Sequence, residues 1–219
     1  MKEYSAIIEE FSDEGYRMYS HIVPASQWGN RQVAEDYLKR YWLSSVEYER
    51  TWKRVQDRVF TNQEVGLPQM VFASGFEMQA SRGGCLFVQD EFVKLQECAR
   101  AIPEQFLFVI ENTFGGRLKK PIFRMKFPTS ISWGELAGGN FASAILLEMP
   151  HKEYFVFGDS GSWGKYVAND YEIPLDILGY KQEVANIFRG KFKLSEIEER
   201  ELAEMLPPAY KTGVPHKSV

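Results

Sequence analysis

The run from Tyr154 to Tyr180, YFVFGDSGSWGKYVANDYEIPLDILGY, constrains the fold more than any other stretch. It reads as strand, glycine-rich turn, strand, proline break and helix entry. Gly158-Asp159-Ser160-Gly161 supplies the turn: glycine reaches positive φ freely, while Asp and Ser bond the local backbone. A connection this short folds back antiparallel, because a parallel return needs a dozen residues or more.

The preceding segment repeats the theme. Gln105 to Glu111, QFLFVIE, is apolar on both faces, as a central strand should be. Ile122 to Phe127 alternates Phe123, Met125 and Phe127 against Arg124 and Lys126. Ser143 to Met149 is a further apolar run, and Glu153 to Gly158 with Trp163 to Asn169 completes a meander.

Upstream the period is helical. Tyr4, Ile7, Ile8 and Phe11 open one stripe, and Val33, Tyr37, Leu38, Tyr41 and Trp42 form another. Ser44 or Ser45 caps the next helix, where Tyr48, Trp52, Val55 and Val59 line one side. Met70 to Met78 reads as a strand, Ser81 to Gly84 as a turn, and Asp90 to Ala101 as a helix. Beyond Pro174, Leu175 to Phe188 reads mostly as helix, and Ser195 with Glu198 makes a capping box for the last one. The expected architecture is α+β: an antiparallel meander sheet of about five to six strands packed against several helices. Residues 1–206 form one domain, helical over residues 1–102, sheet-rich over 103–170 and closed by C-terminal helices over 175–206. A flexible tail, 207–219, follows Pro207-Pro208.

Composition narrows the function. The chain has 219 residues and a formal net charge of -4, which leaves no overall footprint for nucleic acid or an anionic membrane. No apolar run approaches the ~18 residues of a membrane span, and the N-terminus lacks a signal-peptide core. The two cysteines, Cys85 and Cys98, sit in apolar contexts outside any CxxC pair, the usage of a reduced cytoplasmic protein.

The motifs argue mostly against catalysis. Gly158 to Gly161 spells GDSG, but a serine nucleophile of that kind needs an oriented histidine. His21 and His151 lie in no recognisable catalytic motif, and His216 lies in the tail. Gly158 with Gly164-Lys165 approaches a phosphate loop, yet the spacing is too long and Tyr166 replaces the magnesium-binding hydroxyl. Neither the histidines nor the cysteines have metal-ligand spacing, so no metal and no cofactor is expected. Arg117, Lys119, Lys120, Arg124 and Lys126 read as a guarded edge strand.

The same stretch carries a resemblance. Glu153-YFVFGDSGSWGKY-Val167, an aromatic strand leading through a glycine-rich turn, resembles the core hairpin of small bacterial immunity proteins of the broad SMI1/KNR4-like (SUKH) type. The resemblance implies a non-enzymatic α+β protein that binds and blocks a cognate toxin. On this reading the protein partner meets Asp159, Ser160, Ser162, Trp163, Lys165, Asn169, Asp170 and Trp133. A large rigid ring such as Trp163 would anchor the contact, and acidic groups would steer a basic target. Two alternatives belong to other classes. One is a small hydrolase or transferase with a carboxylate site around Asp159, Asp170 and Glu148. The other is a peptide- or ligand-binding regulator with a groove among Tyr37, Tyr41, Trp42 and Trp52.

Overall fold

The computed structural model describes residues 36–37, 40–61, 65–66, 69–82, 86–112, 123–137, 153–168 and 175–211. Expectations for the N-terminal stripe, for Ser143 to Met149, for Cys85 and for Asn169 and Asp170 lie outside these residues.

Among the described residues, six strands form one antiparallel sheet. They are β1 (Phe76–Arg82), β2 (Phe106–Glu111), β3 (Arg124–Pro128), β4 (Tyr154–Gly158), β5 (Trp163–Val167) and β6 (Leu175–Lys181). Their spatial order is β1-β6-β5-β4-β2-β3. The meander runs through β4, β5 and β6; the β2–β3 hairpin joins it through β2, and β1 closes the opposite side on β6. The fold is α+β, as the sequence suggested.

Alternation along the strands explains why helices cover both faces. In β4, Tyr154 and Val156 enter one core cluster while Phe155 and Phe157 enter the other. Both sets are fully buried, and each such side chain contributes about 1.5–3 kcal/mol when taken from water. The first face is covered by α2 (Gln89–Ala101), α4 (Ala185–Lys191) and the segment carrying Tyr37, Tyr41 and Trp42. In α2, Phe92, Leu95, Gln96 and Ala99 recur at helical spacing and point inward.

The second face is covered by α1, a continuous helical run made of Ser45–Glu47, a π-helical turn Tyr48–Trp52 and Lys53–Val59. Ser44 caps it by accepting from the Glu47 N–H. The same face also carries α5 (Glu196–Met205) and the short α6 (Pro208–Lys211), whose Leu202 and Tyr210 join its core cluster. Ser195 and Glu198 make the expected capping box at the start of α5.

Three expectations are corrected. Leu175–Lys181 is strand β6, not helix. It is buried on both sides, so its apolar run shows no period that separates strand from helix. Gly179 faces Gly164 across the β5–β6 pair, and a Cβ at Gly179 would collide with the Phe72 ring; the strand needs its bare Cα there. The strand expected over Met70 to Met78 begins only at Phe76, after a turn at Ser74–Gly75, because Phe72 instead pairs with Phe60 and packs on it at 5.0 Å. The edge strand accordingly runs through Ser81 and Arg82, where a turn was expected. Finally, the chain past Pro207 is not wholly a loose tail. Tyr210 is buried, its hydroxyl donating to Gln69 O (2.8 Å) and accepting from the Val71 N–H (3.0 Å).

Candidate functional site

The hairpin between β4 and β5 turns inward. Asp159 Oδ1 accepts the backbone N–H groups of Gln105 (2.9 Å) and Phe106 (3.0 Å), capping the start of β2. Glu104, in the loop between α2 and β2, reaches back to the hairpin. Its carboxyl accepts the Ser160 N–H (2.8 Å), the Ser160 hydroxyl and the Trp163 indole N–H (3.1 Å). The Ser160 and Ser162 hydroxyls stand 2.7 Å apart, and the Ser162 N–H donates to Ser160 Oγ (3.1 Å). Two loops are thus cross-tied by two carboxyl groups.

Those carboxyls brace the same two loops, and they titrate apart. Burial, then the neighbouring Asp159 carboxyl, pushes Glu104 up to about 7. Burial also opposes the charge on Asp159, but the neighbouring Glu104 carboxyl and the backbone amides of Phe106 and Gln105 outweigh it and hold Asp159 below the usual carboxylate range.

On the first face of the sheet lies a second polar cluster. Alternation puts Lys165 on the same side of β5 as Trp163 and Val167, which are both core residues. Lys165 is 1% exposed and binds Asp176 Oδ2 (2.8 Å), Glu91 Oε1 (2.8 Å) and Leu86 O (3.1 Å). Burial lowers the lysine's proton affinity, yet Asp176 and Glu91 outweigh it and hold the amine charged. Asp176 is equally buried and shares this lysine with Glu91. Its Oδ1 has no hydrogen-bond partner, so burial dominates and pushes it up to about 6. A third cluster, on the opposite face, joins Tyr166, Glu153 and Asn112: the Tyr166 hydroxyl and the Asn112 amide (3.0 Å) both donate to Glu153 Oε2.

The expected contact residues therefore separate. Asp159 and Ser160 reach the surface, and Trp133 is half-exposed at the start of α3 (Trp133–Leu136), against Phe92 at 5.7 Å. Ser162 is buried at 6% exposure. Trp163 and Lys165 are core, at 0% and 1%, and this corrects their expected role as surface anchors. The aromatic groove is corrected as well. Tyr37, Tyr41 and Trp42 are packed into the first core cluster, while Trp52 packs against the second, across the sheet. In the basic run, Arg124 is buried over Trp42 and donates to Leu43 O (3.2 Å). Lys126 pairs with Glu47 at 2.7 Å.

Sequence reasoning missed Glu104 and Glu91. Glu104 follows Pro103 in a loop with no periodic signal, and Glu91 lies in the first turn of α2, where an acidic residue is ordinary. Among the described residues, no group of three or more His, Cys, Asp or Glu is placed to hold a metal ion, and no helix is long and apolar enough to cross a membrane. No family model matches the chain, and neither the curated proteins nor the solved structures searched contain a match.

Proposed function

We propose that this chain is a non-enzymatic binding protein acting in the cytoplasm, of the immunity type, which occludes a cognate toxin. One observation carries the reading. The Asp159, Ser160 and Ser162 side chains all bind other groups of their own chain, so the hairpin that looked like a site serves as a strut. Both faces of the sheet are covered by helices, so a partner would meet the loops and helices around it, and a pre-organised surface loses little entropy on docking. Asp159, Ser160 and Trp133 are the expected contacts that remain at its surface.

The test starts from the reading frames that flank the gene. Each product is expressed in cells with and without this chain. Rescue of growth together with a stable purified complex supports the proposal; no rescue and no complex with any flanking product overturns it.

One contact favours the alternative of a small hydrolase. The exposed Ser160 donates its hydroxyl to Glu104 beside Asp159, which places a carboxyl base on a serine. Ester hydrolysis that disappears in Ser160→Ala would transfer the conclusion to that reading.

A further inference from the structure

The outer side of α1 carries a row of charge that the fold leaves uncompensated. Arg50, Arg54 and Arg58 recur at four-residue steps, so they are neighbours one turn apart. All three are exposed. Like charges at this spacing repel and weaken the helix that bears them. The acids nearby do not relieve the row. Asp57 is bound by Lys53 (2.9 Å). Glu47, a turn before Arg50, is taken by Lys126 (2.7 Å) and by the Trp52 indole N–H (2.7 Å). Among the described residues, none of the three arginines makes an ion pair or a side-chain hydrogen bond.

The row ends at the β4–β5 hairpin. Arg58 Nε and Nη2 lie against Gly161, 3.4 Å from where a Cβ would stand, and Ser160 is exposed next to it. Within α1, the half-buried Trp52 ring rests on Phe108 at 4.5 Å. Arginine and tryptophan are the residue types that dominate interface hot spots. We propose that this side of α1 docks an acidic segment of a protein partner, whose carboxylates pair with the Arg50, Arg54 and Arg58 guanidiniums. The planar guanidinium fork matches carboxylate and phosphate alike, and the rest of the chain decides between them. The net charge is -4, and α5, over the same face of the sheet, exposes Glu196, Glu199 and Glu201. A long phosphate backbone crossing this face would meet those carboxylates, whereas a short acidic segment need not. The inference rests on the reading of the chain as a binding protein and adds which surface meets the partner, and with what charge.

Fluorescence anisotropy of a labelled peptide of about ten glutamates, in about 20 mM salt, tests the surface on the full chain. The peptide should bind, and Arg50→Gln, Arg54→Gln and Arg58→Gln together should weaken it roughly tenfold or more. A control triple, Arg100→Gln, Lys193→Gln and Arg200→Gln, removes the same charge from exposed positions elsewhere and should change the affinity less than about twofold. Arg54→Glu alone, with an unchanged urea midpoint, serves if the triple variant is unstable. The proposal is overturned if the peptide does not bind, or if both triples weaken it equally. It is overturned as well if a single-stranded oligonucleotide of the same length binds more tightly than the peptide. Self-association on sedimentation that the first triple abolishes would assign the row to a second copy and overturn it too. Any complex formed with a flanking gene product should also weaken in that triple, and an undiminished complex overturns the proposal. Failure of every flanking product to bind removes the toxin reading and leaves the peptide result standing.

Discussion

Replacing Lys165 with methionine should cost about 3–5 kcal/mol at pH 7, the range found when one partner of a buried pair is removed. The amine neutralises two carboxylates at once. Glu91, with a side chain 20% exposed, can turn to water, but Asp176 at 1% cannot and must take up a proton. Holding neutral a carboxyl whose ordinary value is 3.8 costs about 1.4 kcal/mol for each unit by which the pH exceeds it, or about 4 kcal/mol at pH 7. The sign follows. Asp176 is raised in the folded state, so its contribution is fully favourable in acid and is lost as pH rises. In the parent protein that loss ends near about 6; in Lys165→Met it continues upward, and the gap between the two widens by about 1.4 kcal/mol from pH 6 to 7. Urea denaturation at pH 5, 6 and 7 reads these values directly. The pair Lys165→Met with Asp176→Leu should return most of the stability, because it leaves no unpaired charge on Asp176. A loss under about 1 kcal/mol in the single variant, or a gap independent of pH, would refute the reasoning.

Two further substitutions probe the core. Trp163→Ala should destabilise by about 3–5 kcal/mol, since it empties a fully buried ring site and removes a donor from Glu104; an unchanged urea midpoint would place the ring outside the core. Gly179→Ala should cost about 1–3 kcal/mol as its methyl meets the Phe72 ring. Gly190→Ala, in open space on α4, should be neutral or stabilise by up to about 1 kcal/mol, and equal melting temperatures for the two would contradict the packing described.

The strands with a local signature were legible in the sequence. β2, β3, β4 and β5 each combine alternation or an apolar run with a turn or a proline, and helix starts at Ser44 and Ser195 followed from their caps. β6 was not legible, because burial on both faces erases the period and only Gly179, pressed by Phe72, reveals why a helix would fail. The candidate site was half-legible. The hairpin was found, but the direction of its side chains depends on Glu104, a residue contributed from across the sheet end, and no local pattern encodes such a contact. Lys165 looked like a surface cation because charge usually seeks water. Of its two counter-charges, Glu91 comes from α2, far away in sequence, and Asp176 from β6, the strand expected to be helix.

The placement of β1 has a consequence for biogenesis. Phe76 pairs with Lys181, and Arg82 with Leu175, so this edge strand has no sheet to join until most of the polypeptide has emerged from the ribosome. At about 5–20 residues per second, the wait is roughly 5–20 s. During that interval an extended segment bearing Phe76, Met78 and Ala80 is open to capture by chaperones or to pairing with neighbouring nascent chains.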